Sequence, residues 1–407
     1  MTPEILFTQA LQLQGSGYEV KQCTFEGEPK KLGLRLDFKA GTKFKCPQCG
    51  EVGAVHDTVE KKWRHLNFFQ YECELIARVP RVKCSKDGVR QVEVTWARPG
   101  SGFTLMFEAL VLLLGQEMSM KAVAEMMGEH DTLLWRLLHH HVSRAQAARK
   151  WSQVRRIQVD ETSARRGHKY VTNVVDADTK ELLFMVEGRS GEALEAFAAE
   201  LIAHGGTPEQ IEWISMDFSP AYQKGARDHF PQAKLAFDRF HLMQLAGKAL
   251  DTVRKSLYRE AGSKSPLKGQ RWSILGNEWT RSEDQQMQRK ELAKTYPKLG
   301  RALGLREMLQ DILTERSPEA LKWWCARAGR SKLEPFCKLA KTVRNHWDGI
   351  IGYFESGLTN AAIEAVNGNI QLAKRLARGF RNFTYFQAMA YLKAARLNVA
   401  LPNPLPT

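Results

Sequence analysis

The sequence predicts a multidomain α/β protein, with an α/β core that is interrupted by a long all-helical stretch and preceded by two small N-terminal modules. Three observations predict it. Residues 1–100 alternate in polarity as short strands do and contain a Cys-x-x-Cys pair. A helix, a glycine turn and a second helix follow before residue 150. From Arg156 the pattern runs strand, strand, strand, helix, strand, helix, strand, and a last amphipathic helix begins near Asn360 after an almost wholly helical stretch over 240–350.

With 407 residues the chain is long enough for two to four domains. Its 60 Lys and Arg against 45 Asp and Glu leave +15, which favours a polyanionic partner. The longest apolar run, Leu105 to Leu114, contains Glu108 and is too short for a membrane span. The N-terminus lacks the pattern of a signal peptide. Seven cysteines point to a reducing, cytoplasmic compartment, with clustered ones as metal ligands, and no membrane contact is expected. No Walker A pattern occurs, so ATP-driven work is not expected.

In the first hundred residues Tyr71–Pro80 and Gln91–Trp96 read as strands, and Arg98-Pro99-Gly100-Ser101-Gly102 reads as a turn. Ser119 then caps a short helix carrying Val123 and Met127, which ends at Gly128. Asp131 caps a second helix carrying Leu134, Leu137, Leu138 and Val142. This is either a helix-turn-helix or an ordinary helical hairpin. As a DNA reader it would present Trp135, Arg136, His139, His140 and Arg144. The basic stretch Arg144, Arg149, Lys150, Arg155 and Arg156 is either a solvated linker or an arm that tracks phosphates.

Strands are predicted over Arg156–Glu161, His168–Asp176, Glu181–Glu187, Ile211–Met216 and Lys234–Phe237. Ser190 caps a helix that buries Leu194, Phe197, Ala198 and Leu201, and Pro220 opens another over Ala221–His229. This order matches a ribonuclease-H-like fold. Asp160 falls in the first strand and Asp217 at the end of the fourth, neighbours in such a sheet. Glu364 lies on the last helix, in a polar stripe with Asn360, Asn367 and Gln371. Three clustered carboxylates repel one another unless a hard divalent cation, magnesium or manganese, sits among them. Two such ions serve phosphodiester chemistry with no protein nucleophile. Taken singly, Asp217 also reads as a helix cap, Asp160 as a solvated strand acid and Glu364 as an ordinary surface residue.

The motifs Val159-Asp160-Glu161-Thr162, Ser215-Met216-Asp217-Phe218-Ser219-Pro220-Ala221-Tyr222 and Thr359-Asn360-Ala361-Ala362-Ile363-Glu364-Ala365-Val366-Asn367 resemble the three acidic motifs of bacterial insertion-sequence transposases. More narrowly the chain resembles the ISL3 family. Trp63-Arg64-His65-Leu66-Asn67-Phe68-Phe69 and Ala97-Arg98-Pro99-Gly100-Ser101-Gly102-Phe103 are similar to that family's N-terminal module, and Arg378-Gly379-Phe380-Arg381-Asn382-Phe383 to its C-terminal signature. Asp238-Arg239-Phe240-His241 is similar to a D-x-x-H element that follows the second Asp in several such enzymes.

The resemblance implies a DDE transposase, with Asp160, Asp217 and Glu364 as catalytic magnesium ligands. It implies hydrolysis at the transposon ends and attack of the freed 3′-hydroxyl on target DNA. His241 is assigned a supporting role near the scissile phosphate, beside the alternative of a core histidine. The implied domains are a zinc-ribbon-like DNA-binding module (1–100), a helix-turn-helix (101–150), a ribonuclease-H-like domain (151–245 and 351–398), its helical insertion (246–350) and a disordered tail (399–407).

Cys46 and Cys49 form half of a zinc knuckle. In the other half Cys84 is followed by Asp87 where the family has a second cysteine, so Asp87, His56, His65 or Cys73 supplies the fourth ligand, or the ion is lost. Cys23, Cys325 and Cys337 read as isolated residues. Phosphate contacts are expected from Arg144, Arg149, Lys150, Arg155, Arg156, Arg165, Arg166, Lys169, Lys374, Arg375, Arg378 and Arg381, although each alone also reads as a solvated charge. Pairing two double-stranded ends implies a homodimer or larger assembly on DNA. Two other readings are a DNA-binding regulator with an inactive catalytic domain and a metal-dependent nuclease without strand transfer.

Overall fold

The computed structural model describes residues 2–405 except 166, 168, 263–264 and 277–280. Contacts divide the chain into two units, one running to Ser143 and including the C-terminal segment from Asn398, the other spanning Arg144–Leu397.

The first unit opens with helix α1 (Pro3–Ala10), which the sequence pattern did not suggest. It continues through β1 (Tyr18–Glu26), β2 (Lys31–Phe38), β3 (Phe44–Lys45), β4 (Val52–Gly53), β5 (Val55–Phe68), β6 (Tyr71–Cys84) and β7 (Gly88–Gln91). The main sheet has the order β1-β2-β6-β5, with β7 on β6, and β3 pairs with β4 as a small separate ribbon. On β6 Cys73, Leu75, Ala77 and Val79 alternate inward, the period of a sheet with one buried face. Gln91–Trp96 is strand only at Gln91; Val92 and Trp96 instead leave the edge and pack into the core. Helices α2 (Leu105–Glu117), α3 (Met120–Met127) and α4 (Asp131–Ala147) follow, and the boundary between units falls inside α4.

The second unit is built on β8 (Arg156–Arg165), β9 (Lys169–Asp176), β10 (Leu182–Glu187), α5 (Glu192–Ala203), β11 (Trp213–Met216), α6 (Pro220–His229) and β12 (Lys234–Phe237). The sheet order is β10-β9-β8-β11-β12. The first three strands form an antiparallel meander, and β8, β11 and β12 are parallel. Ser190 does not cap α5. Gly191 occupies the cap position, and the Ser190 hydroxyl turns to Glu192.

Helices α7 (Arg239–Ala261), α8 (Arg271–Leu275), α9 (Glu283–Thr295), α10 (Pro297–Glu315), α11 (Pro318–Gly329), α12 (Glu334–Asn345) and α13 (Trp347–Ser356) come next, then α14 (Ala361–Leu376) and α15 (Phe383–Ala394). One continuous apolar core joins Ile157, Val159 and Ile214 of the sheet to Leu309, Trp324 and Val343 of these helices. Helix α13 covers the edge strand β12. Gly352 permits this, because a Cβ there would stand 2.0 Å from the Leu235 carbonyl oxygen. Residues 399–404 carry no helix or strand.

Candidate functional site

Strand register sets up the acidic site. Ser215 of β11 is level with Gln158 of β8, and Met216 with Phe237 of β12. Continued to the strand ends, the same ladders put Asp160, Asp217 and Asp238 side by side on three adjacent parallel strands. The Asp238 N–H donates to the Met216 carbonyl at 3.1 Å, so the β11–β12 ladder continues by one residue, and the charge of Asp217 reaches Asp160 across the neighbouring pair. Asp217 accepts from the Ser219 N–H at 2.9 Å and thereby also braces the start of α6.

Helix α14 lies over this edge through a row of amide contacts. Gln158, Asp160 and Thr162 alternate toward it along β8. Gln158 accepts from the Ile363 N–H at 2.9 Å and donates to the Thr359 carbonyl at 2.6 Å. Asn367 donates to Asp160 Oδ2 at 2.9 Å, and Gln371 to Thr162 Oγ1 at 2.7 Å. Ser215 donates to Asn360 Oδ1 at 2.7 Å. Three members of the polar stripe on α14, Asn360, Asn367 and Gln371, are thus tied to the sheet, and Glu364 lies exposed among them.

Electrostatics links the acids through His241. Burial pushes the Asp160 carboxyl up to about 6, with Asp217 and Glu161 adding to the rise and the Glu161 N–H and His241 opposing it. Glu364, though exposed, is raised by partial desolvation and by the charge of Asp238, against His241. His241 is raised by its contact with Asp238 (Nδ1 to Oδ2, 3.2 Å) and, against burial, by the charges of Asp217 and Asp160. His241 is therefore not a core histidine: a third of its side chain is exposed beside the acids (33%). Asp160, Asp217 and Glu364 are not gathered, as a set of three, to within 4.8 Å among the described residues. Closer approach requires a counter-charge. The buried Asp238, first residue of the D-x-x-H element, and Asn367, a member of the polar stripe, join the site as residues to which the sequence assigned no role of their own.

A second cluster lies in the first unit. Ligand atoms of Cys46, Cys49, Cys84 and Asp87 lie within 4.8 Å of one another. Cys49 Sγ is 3.3 Å from Cys84 Sγ, and Asp87 Oδ2 is 3.3 Å from Cys46 Sγ and 3.5 Å from Cys84 Sγ. Such separations suit the edges of a tetrahedron around zinc, whose bonds to sulfur and oxygen are about 2.0–2.3 Å. The alternative ligands fall elsewhere: His65 Nδ1 is 2.8 Å from Thr104 Oγ1, Cys73 is buried in the main sheet, and His56 stays outside the cluster. Cys23, Cys325 and Cys337 also lie outside it.

The helices α3 and α4 form where the sequence predicts them. Ser119 accepts from the Ala122 N–H, and Gly128 closes α3 in the left-handed region at φ 71°. His130 rather than Asp131 caps α4, its Nδ1 accepting from the Thr132 N–H at 3.3 Å. The family-like motifs of this unit hold the helices in place. Arg64, buried in β5, reaches the Met127 carbonyl and Glu129 at the turn between α3 and α4. Glu108, fully buried on α2, accepts from Arg98, Ser101 and His141.

The expected DNA contacts divide into two groups. Arg136, His139, Arg144, Lys150, Lys169, Arg375, Arg378 and Arg381 are exposed. Trp135 is not, because it falls on the apolar stripe of α4 with Leu134, Leu138 and Val142 and is buried. Arg149 is half-buried, bound to Glu181 and the Leu182 carbonyl and packed over Trp151, so it is a structural residue. Arg155 folds back onto the Ser152 and Val154 carbonyls, and Arg156 pairs with Asp178. Arg165 caps the Phe380 and Arg381 carbonyls, and Lys374 donates to the Ser163 carbonyl at 2.5 Å. Arg166 lies outside the described residues. No described helix is long and apolar enough to cross a membrane.

Comparison with known proteins adds the lineage. Residues 157–390 match a family model described as Transposase, of the ISL3 type. Residues 92–142 match the helix-turn-helix domain of transposase family ISL3, and residues 42–87 the zinc-finger of transposase IS204/IS1001/IS1096/IS1165. The chain is 29% identical to the transposase for insertion sequence element IS1557 of Mycobacterium tuberculosis over 412 residues, covering 93% of this chain and 91% of that protein. It is 26% identical to the transposase for insertion sequence element IS1001 of Bordetella parapertussis over 390 residues, 91% of this chain and 93% of that one. A zinc-ribbon, a helix-turn-helix and a transposase domain thus follow one another in order, and the chain belongs to the ISL3 family of transposases.

Proposed function

We propose that this transposase binds the terminal inverted repeats of its insertion sequence, cleaves the ends by divalent-metal-dependent phosphodiester hydrolysis and joins the 3′-hydroxyl to target DNA. The observation that carries the reading is the alignment of Asp160 and Asp217 on neighbouring parallel strands, under a helix that brings Glu364 to the same edge. A meander followed by parallel strands in the order β10-β9-β8-β11-β12 suits a ribonuclease-H-like catalytic domain, with the helices of 246–350 as its insertion.

The donors of the acidic site are carboxylate oxygens, which fit magnesium or manganese. A divalent ion held by Asp160, Asp217 and Glu364 would supply Lewis-acid activation of the attacking oxygen and charge stabilisation of the leaving one. The chain's own residues do the rest. Asn367 orients the Asp160 carboxylate, and Asp238 keeps His241 protonated at Nδ1, leaving its other ring nitrogen to face a phosphate. Cys46, Cys49, Cys84 and Asp87 would hold zinc, which would cross-link the turns of the N-terminal module, and the helix-turn-helix reads the ends through Arg136, His139 and Arg144. Synapsis of two ends calls for a dimer or larger assembly on DNA.

The test is incubation of the protein with DNA bearing the element's ends and magnesium chloride. Cleaved and joined products are expected, and Asp160→Ala or Glu364→Ala abolishes both while sparing binding. Undiminished cleavage by Glu364→Ala overturns the assignment. Cleavage that never yields joined products makes the protein a nuclease, and binding with no cleavage makes it a regulator.

A further inference from the structure

Helices α10 and α11 enclose a groove of about 530 Å³, lined by Gly300, Gly304, Leu305, Met308, Trp323 and the arginines 301, 327 and 330. Two of its features are not required by the fold. The adjacent tryptophans of α11 behave oppositely: Trp324 is fully buried and donates to the Leu305 carbonyl at 2.8 Å, whereas Trp323 is 53% exposed. Gly304 sits inside α10, where glycine weakens a helix, yet a Cβ there would meet nothing within 4 Å. Its effect is to leave the floor of the groove open.

The rim is uniformly cationic. Arg301, Arg327 and Arg330 line the groove, and no carboxylate does among the described residues. Arg301 is held in place by the Ser331 carbonyl at 2.7 Å, and the Arg327 guanidinium stands over the Trp323 ring at 5.1 Å. An indole face, an apolar floor and three guanidinium groups are complementary to a unit that carries both a flat ring and a phosphate. A small inorganic anion would leave the indole unused. A paired base would present only its edge, since its faces are occupied by its neighbours in the stack.

We propose that this groove binds an unpaired stretch of DNA strand, with a base packed on Trp323 and adjoining phosphates on Arg327, Arg330 and Arg301. The proposal rests on the reading of the chain as a DNA-processing enzyme and adds a contact outside the acidic site and the N-terminal modules. The groove lies wholly within the helices that follow β12, so it can be altered without touching the acidic cluster.

The test compares binding of full-length, zinc-loaded protein to a blunt duplex and to the same duplex with a short single-stranded tail, by fluorescence anisotropy. Wild type favours the tailed DNA. Trp323→Ala lowers affinity for the tailed DNA by about tenfold and for the blunt duplex by less than about twofold, and Trp323→Phe restores most of the loss. The double substitution Arg327→Ala, Arg330→Ala reduces the salt slope for the tailed DNA by about 1.4, since each phosphate contact on a single strand contributes about 0.7. The tail preference persists in Asp160→Ala, which separates this site from the catalytic assignment. An unchanged preference in Trp323→Ala overturns the proposal, as does equal loss on both DNAs. Displacement of the tail by a free deoxynucleoside monophosphate as effectively as by a single-stranded oligonucleotide would reassign the groove to nucleotides. If Trp323→Ala melts early, the Phe and double-Arg variants decide.

Discussion

Asn367 on α14 donates to Oδ2 of Asp160 on β8 at 2.9 Å, and its own carbonyl oxygen accepts from Asn173 of β9 at 2.7 Å. The second contact fixes which way the amide points, so the first is set by the sheet. Partners of this kind hold a metal-binding carboxylate in orientation, and their loss typically weakens metal binding or activity by about 10–100-fold. Asn367→Ala is therefore expected to lower magnesium-dependent end cleavage by that order and to leave DNA binding unchanged. Wild-type cleavage across a magnesium titration would refute this.

The buried carboxylate of Glu108 locks α2 to the turn at Arg98–Ser101 and to α4. Burial would raise its pKa, but hydrogen bonds from His141 and Ser101 and the charge of Arg98 hold it below its ordinary value of 4.5. A depressed carboxylate stabilises the fold above the unfolded value and loses that contribution as pH falls through the folded one. We expect the first unit to lose stability on acidification below about pH 4.5. Glu108→Gln should cost about 3 kcal/mol and largely remove this acid dependence. Denaturant melts at pH 7 and pH 4 check both, and an equal acid loss in the variant would exclude Glu108 as the source.

The zinc assignment predicts one equivalent per chain in protein purified without added metal. Chelation or Cys49→Ser should unfold the ribbon formed by β3, β4 and the end of β6, because ion binding and folding are coupled in small metal modules. Asp87→Cys should retain zinc and resist chelation better than wild type, since structural sites favour sulfur. Less than half an equivalent of zinc in the wild type would retire the site.

Neighbouring residues on α4 should behave in opposite ways. Arg136→Ala leaves stability unchanged, weakens binding to DNA bearing the element's ends by about 1–3 kcal/mol and spares unrelated duplexes, so that specificity is relaxed. Trp135→Ala instead costs about 3–5 kcal/mol of stability, as expected for emptying a core site. If Trp135→Ala weakened DNA binding in a protein as stable as wild type, its burial would not describe its role.

By itself the sequence determined the order of modules, most elements of the second sheet and the three acidic motifs. Those features are local: β-branched alternation, glycine and proline punctuation, and short motifs read within one stretch of chain. It also fixed the Cys46, Cys49 and Cys84 triad. It did not determine the fourth position of the zinc cluster, the burial of Trp135, the internal partners of Arg149, Arg155, Arg156 and Arg165, the contact of Asp238 with His241, or the place of Asn367 beside Asp160. Each of these depends on which surfaces meet. A helix exposes every residue type around its circumference until packing selects a face, and an arginine reads the same whether it faces a phosphate or a backbone carbonyl. At the acidic site the register of β8, β11 and β12 and the placement of α14 over β8 made the selection, because strand pairing and amide contacts join residues up to 209 positions apart, as Gln371 and Thr162 are.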